Sequence, residues 1–424
     1  MARLTLSRGA PRDYRERRTR GIFQGTASGI AWRIIAIAVN LISIPLSVRY
    51  LGSERYGAWV TITTVLTFLT ITDFGLGASL TNAVGKAQAE EDHETGRSHV
   101  SSAVVMLCAI AGAILILATL FRGPIALFLF PDLQSPLARA EIVPAVWLAL
   151  LIFALKLPLI IVPRVLAAYH KNALANFWNI LAVLGNLVAL LTVIWLNGGL
   201  PWLVAGSFGF GLLVNLASAI WLFGSYKTWL RPRLSAVDFS YVAHLFSDGW
   251  KFFIISVGWM INWQTDNLVI AHFLGAAQVT PYAITVSIFA FASGIPFLAY
   301  PSIWPAYTEA YAQGDYDWIR KAMRSNFKFN LLSSLTICVF LLIACQTIVR
   351  VWAGPAAVPP YAVIVWMAIW RLMFSTLLVG NCLLNATGHL KGLTIYGTIT
   401  ALMNLGLSIF LAKIYGISGV AAGL

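Results

Sequence analysis

The chain has 424 residues, of which 59% are apolar and only 11% charged, with a formal net charge of +13. Soluble domains carry about 25% charged residues, so this composition excludes a globule covered by polar surface. The apolar runs far exceed the ~10 residues of a barrel strand and reach the ~20 residues that carry a helix across ~30 Å of hydrocarbon. Inside lipid every backbone polar group is paired within its own helix or a closed barrel. The reading is an all-α polytopic membrane protein.

In chain order, spanning helices are predicted at about 24–50, 56–83, 99–121, 142–169, 173–197, 200–224, 248–274, 279–307, 325–350, 360–385 and 391–413. The closing residues, Gly416 to Leu424, read as a twelfth helix just starting, too short to cross a bilayer; a truncated last span is the expectation. Lys and Arg concentrate on the cytoplasmic side of membrane proteins. With the basic tail (Arg3, Arg8, Arg12, Arg15, Arg17, Arg18, Arg20) placed inside, 19 basic loop residues fall on the inner side and six on the outer. The N-terminus is therefore expected in the cytoplasm. The tail meets anionic headgroups, and no nucleic-acid partner is expected. The first apolar run is a full span without a small-residue cleavage site, so no cleavable signal is expected.

Cys108, Cys338, Cys345 and Cys382 all lie inside apolar segments without metal-ligand spacing. They are read as core or lipid-facing residues, and no metal is expected. A G-x-x-x-x-G-K-[ST] nucleotide loop is absent, and no cofactor is implied.

The chain repeats itself at an offset of 223 residues: 51–97 overlies 274–320 without a gap, with ten identities. Leu51-Gly52 matches Leu274-Gly275, and Asp92 and Arg97 match Asp315 and Arg320. Both copies start on the same side, so the repeats have parallel topology. In transporters, such repeats place the substrate site between halves. The organisation read here is a basic tail at 1–20, a first six-helix bundle at 21–224, a hydrophilic linker at 225–247 and a second bundle at 248–424 with an incomplete twelfth helix.

Tyr50-Leu-Gly-Ser-Glu-Arg-Tyr-Gly-Ala-Trp59 resembles the YLG-x-x-x-YG-x-W run of bacterial polysaccharide flippases. Thr72-Asp-Phe-Gly-Leu-Gly-Ala-Ser-Leu-Thr-Asn82 is similar to the segment that leads into that family's Ala-rich, acidic loop. Gln264 to Ile270, then Leu274-Gly275 and Tyr282-Ala283, resembles its passage from the seventh to the eighth helix. The superfamily also holds lipid II flippases and multidrug and toxin extrusion antiporters. The resemblance implies two six-helix bundles in a V around a central cavity. It also implies transport of an undecaprenyl-pyrophosphate-linked oligosaccharide from the cytoplasmic to the outer leaflet. The partners implied are that polyprenyl-pyrophosphate-linked oligosaccharide, membrane lipids and polysaccharide polymerase machinery.

Ionisable groups inside a span are costly, about 3 kcal/mol on insertion scales, and mark functional positions. Arg33 and Asn40 share a face of the first helix, and a guanidinium offers planar donors for phosphate oxygens. Lys156 and Arg164 lie in the fourth helix and Arg371 in the middle of the tenth. With the amides Asn262 and Gln264 of the seventh helix, these are the candidate substrate contacts. Asp73, Asp266 and Asn267 are the candidate coupling-ion residues. For each there is a structural alternative: snorkelling for Arg33, interhelical hydrogen bonds for the polar turn of the seventh helix. Lys251 is read as an interface anchor, and Trp59, Trp304, Trp352 and Trp366 as belt or packing residues. Four basic groups against two acids suit an anionic headgroup better than a cationic drug. An antiporter of the same superfamily is the first rival. The second is a membrane enzyme acting on lipid-linked sugars; Asp315-Tyr-Asp317, the one Asp-x-Asp, sits in a loop.

Overall fold

A computed structural model describes residues 12–73, 76–298, 300–387 and 390–424. The basic residues before 12 and the side chains of Asp73, Lys251, Trp304 and Lys391 lie outside the described residues. Among the described residues there are helices and no strands. The first half runs α1 (Arg12–Leu69), α2 (Leu76–Ala89), α3 (His93–Leu120), α4 (Arg122–Leu129), α5 (Pro136–Lys156), α6 (Ile161–Ala168), α7 (Asn172–Trp195) and α8 (Leu200–Trp221). The second runs α9 (Phe239–Leu274), α10 (Ala276–Leu298), α11 (Tyr300–Gln313), α12 (Tyr316–Trp352), α13 (Tyr361–Ala386), α14 (Leu390–Tyr415) and α15 (Ile417–Gly423).

Eight stretches among the described residues are long and apolar enough to cross a membrane. The first, Gln24–Thr72, has 49 residues; at 1.5 Å per residue it would measure ~74 Å, far more than a bilayer core. It is two passes joined at Gly52, whose φ of 74° breaks the helix. Gly275, at φ 88°, makes the equivalent break between α9 and α10. A side chain in that left-handed region is strained, which is why the Leu-Gly pair recurs at both places. The repeat extends to the other end of each copy. Glu91 and Gly314 have φ of 57° and 73°, and the next residues, Asp92 and Asp315, cap α3 and α12 by accepting from Thr95 N and Trp318 N, each at 3.0 Å.

Several boundaries differ from the sequence expectation. The fourth pass is interrupted by a 3-10 turn over Leu157–Ile160, because Pro158 cannot supply the helix hydrogen bond. The loop expected at 122–141 contains α4. The linker is shorter than 225–247, because α9 starts at Phe239 with Asp238 as its N-cap. That linker straps onto α3: Arg97 Nε donates to Trp229 O at 2.6 Å, and Arg233 N and Asp238 N donate to Ser101 Oγ and Ser102 Oγ at 3.1 and 2.9 Å.

The two halves meet along α1 and α10. Gly57 lets them touch, since a Cβ there would overlap the Ala276 carbonyl. Thr280 Oγ1 donates to Ser53 O at 2.6 Å beside it. Further along the same end, here called outer after the loop-charge expectation, Arg49 Nη2 donates to Val351 O (2.8 Å) and Trp352 O (3.2 Å). Trp352 Nε1 reaches back to Leu41 O at 2.9 Å. One large apolar core runs through both halves across this seam, with Ile62, Leu66, Ile270, Ile284 and Phe289 among its members.

Candidate functional site

Asp266 stands on the buried face of α9 and is 7% exposed. Tyr282 of α10 donates its hydroxyl to Oδ2 at 2.5 Å, and Ser408 of α14 donates to Oδ1 at 3.3 Å. Two hydroxyl donors satisfy part of a carboxylate's acceptor capacity. No cation among the described residues pairs with it. Asn404 lies one turn before Ser408 on α14, with Nδ2 donating to Gly423 O at 3.3 Å and Oδ1 buried without a partner. Gly423 is what brings α15 so close: a Cβ there would sit 2.8 Å from Ser408 Oγ. The result is a pocket of oxygen atoms from three helices around one buried carboxylate. Oxygen donors of this kind suit a hard cation or a proton. Among the described residues no group of three His, Cys, Asp or Glu could hold a metal ion.

The neighbouring residues divide between two tasks. Asn267 Nδ2 donates to Thr64 Oγ1 of α1 at 3.2 Å, joining the halves, while its Oδ1 is buried and unpartnered. Asn262 Nδ2 donates to Gly397 O of α14 at 3.3 Å. Asn262 and Asp266 therefore both engage α14, as their i, i+4 spacing allows. Gln264 is half-buried on the same turn. Trp263, Trp370 and Phe374 form an aromatic group, with Trp370 and Phe374 stacked at 5.3 Å and Trp263 edge-on to both.

The basic candidates do not converge on this pocket. Arg33 and Asn40 are exposed along α1. Arg164 of α6 lies over Gly77 of α2, which leaves its guanidinium room; a Cβ on Gly77 would meet Cζ at 2.7 Å. That contact joins the start of α2 to the fourth pass. Lys156 closes α5 with Nζ against Gly211 of α8, where the Asn186 amide also sits and leaves its Oδ1 buried and unpartnered. Arg371 is 2% exposed, packed inside the second half between α13 and α12. Of the tryptophans, Trp366 is 41% exposed, as a belt residue would be, whereas Trp352 is tied into the seam. At that seam an apolar groove of about 590 Å³ opens between Leu41 of α1, Ile288 and Phe291 of α10, and Phe340, Ile348 and Trp352 of α12.

Tyr282, Ser408, Asn404 and Thr64 are not marked out by their own spans, because each acts on a partner from another helix. A signal did exist in α14: Asn404 and Ser408 are polar residues at i, i+4 in an otherwise apolar run.

The fold is shared with known transporters. An inward-facing multidrug resistance MATE family transporter of the MOP superfamily superimposes with a TM-score of 0.75 at 14% identity, covering 92% of this chain and 89% of that one. The lipid II flippase MurJ, in its inward closed conformation, gives 0.71 at 16% identity, covering 94% and 83%. In sequence, a Salmonella typhi protein named as an O-antigen transporter is 27% identical over 67% of this chain and 64% of its own length. A Yersinia pseudotuberculosis protein named as an O-antigen export protein is 24% identical over 93% of this chain and 90% of its own. Residues 22–311 match the family model described as polysaccharide biosynthesis protein. That match covers more than half of the chain, both glycine breaks and the polar turn of α9, and the chain belongs to this family.

Proposed function

We propose that this protein flips an undecaprenyl-pyrophosphate-linked oligosaccharide from the cytoplasmic to the outer leaflet of a bacterial inner membrane. The observation that carries the reading is the sign of charge within the spans. Arg33, Lys156, Arg164 and Arg371 are basic, against two acids, Asp73 and Asp266, of which Asp266 is already held by Tyr282 and Ser408. An excess of basic groups along the spans attracts an anionic headgroup and disfavours a cationic drug. Family membership and the O-antigen relatives support the same substrate class.

In this reading the pyrophosphate is drawn to the basic groups while the sugars pass between the halves. The apolar groove beside Trp352 takes a segment of the polyprenyl chain, which stays in lipid. The seam at Gly57, Ser53–Thr280 and Arg49–Val351 closes the outer side. Transport requires it to part, as alternating access does in repeat-built transporters. The oxygen pocket at Asp266 takes a proton or sodium ion whose gradient drives the cycle. The N-terminus faces the cytoplasm, as the loop charges imply.

The test is translocation of an undecaprenyl-pyrophosphate oligosaccharide in proteoliposomes, read by enzymatic access to the sugar in each leaflet. Transport that depends on an imposed cation gradient is expected. Efflux of cationic dyes without lipid translocation would mean an antiporter instead.

A further inference from the structure

Arg371 is a guanidinium in the middle of a membrane-spanning helix, 2% exposed, whose Nε and Nη2 are both buried with no hydrogen-bond partner. No carboxylate among the described residues pairs with it; Asp266, the buried acid of the same half, is engaged by Tyr282 and Ser408. The helix register shows what surrounds it. Cys338 Sγ on α12 donates to Ala368 O on α13 at 3.5 Å. The chain returns from α12 to α13 through a short turn, so the two helices run antiparallel. One turn from that contact on each helix, Ser334 stands level with Arg371; one turn further, Asn330 stands level with Ser375. All of these side chains are buried. Ser334 Oγ and Asn330 Oδ1 are unpartnered as well, while Ser375 is satisfied by Leu372 O. The seam thus contains a guanidinium edge and two polar atoms that no described residue pairs.

An unpaired buried charge is strongly destabilising, and it persists where a ligand or a function compensates it. The unpartnered atoms define the ligand. Nε and Nη2 form one edge of the guanidinium, the side-on fork that grips two oxygens of a carboxylate or phosphate with parallel hydrogen bonds. The Ser334 hydroxyl adds a third donor, and Asn330 Oδ1 can accept from another N–H of the same guanidinium.

We propose that the α12–α13 seam is an oxyanion site, in which Arg371 and Ser334 bind a phosphate-class group when the two helices part. Both nitrogens are shielded in the present conformation, so the site is closed here and is uncovered by movement of α12 against α13. The oxyanion is either free in solution or the pyrophosphate of the transported lipid. Only the second source rests on the flippase reading.

The experiment uses the purified full-length chain, with inorganic pyrophosphate as the probe and sodium chloride at equal ionic strength as the control. Pyrophosphate raises the melting temperature of the wild type, and Ser334→Ala binds it at least tenfold more weakly. Arg371→Met abolishes the shift. Its ligand-free form melts at or above the wild-type temperature, because removing an unpaired charge relieves the seam. A wild-type melt indifferent to pyrophosphate overturns the proposal. So does an Arg371→Met chain that melts lower yet keeps the full shift, since Arg371 would then be a packing residue. Displacement of bound pyrophosphate by polyprenyl pyrophosphate in nanodiscs assigns the site to the lipid; no displacement at saturating lipid assigns it to a free oxyanion. The readout is binding, so its failure leaves the translocation test untouched, and loss of translocation leaves the binding result standing.

Discussion

Gly57→Ala is expected to loosen the closure between the two halves. In the structure, the Cβ added by this change would overlap the Ala276 carbonyl oxygen, with the carbonyl carbon at 2.8 Å and Thr280 Oγ1 at 3.3 Å. Unstrained carbon atoms sit about 3.5–4.0 Å apart, so α1 and α10 must separate locally by about 1 Å. The obstacle is backbone in the first turn of α10, which cannot swing aside as a side chain would. Overpacking of this kind costs about 1–3 kcal/mol. The cost falls on the arrangement in which α1 and α10 touch, and not on one in which the halves have parted. The equilibrium between the two should then move by about 5–150-fold. The assay is maleimide labelling of a single cysteine at Thr64, which is 4% exposed and meets Asn267 across the seam, in a chain otherwise free of cysteine. Labelling should accelerate in Gly57→Ala. Gly112→Ala is the control, because a Cβ there meets nothing within 4 Å, and it carries the same unfolded-state effect of a Gly-to-Ala change. Equal labelling rates in wild type, Gly57→Ala and Gly112→Ala would refute the claim that this close approach holds the halves together.

Other outcomes follow from the same geometry. Asp266→Asn keeps the shape and most hydrogen bonds of the pocket but removes its charge; gradient-driven translocation should fall by at least tenfold while the folded fraction stays unchanged, as measured by size-exclusion chromatography. Trp352→Phe deletes the bond to Leu41 O, worth about 1 kcal/mol, and should raise labelling at Thr64→Cys by about fivefold without lowering expression. Gly185→Ala drives a methyl into the Phe210 ring between α7 and α8; it should lower the melting temperature through an overpacking cost of about 1–3 kcal/mol and leave seam labelling unaffected. The hydrogen bonds from Thr95 and Ser240 hold the Asp92 and Asp238 carboxyls below the usual carboxylate range. Their contribution is therefore present above about pH 4 and lost as the pH falls through the lowered values, and Asp92→Asn with Asp238→Asn should flatten the acid limb of a thermal-melt series.

Much of this protein was legible in its sequence because a bilayer leaves few solutions. Composition and run length require helices, and the helical repeat is visible as a 223-residue offset. The Leu-Gly pairs at 51–52 and 274–275 carry local geometry in their chemistry: only glycine accepts φ values of 74° and 88° without strain. Asp92 and Asp315 recur in the repeat as well, but the caps they form start α3 and α12 earlier than the spans expected from about 99 and 325. Arg371, Lys156 and Asp266 stood out because a charge in an apolar run is conspicuous on one dimension alone. The tertiary structure decided what each of them meets. Asp266 finds Tyr282 and Ser408 on helices 16 and 142 residues away, and Asn267 finds Thr64 across the seam 203 residues away. Arg371 lies in a seam level with Ser334, where no acid among the described residues pairs with it. Helix periodicity says which face a residue occupies, but inside lipid nearly every face is apolar. Which face touches another helix, and at what register, is set by packing such as the Gly57 contact, and that information exists only once the helices are assembled.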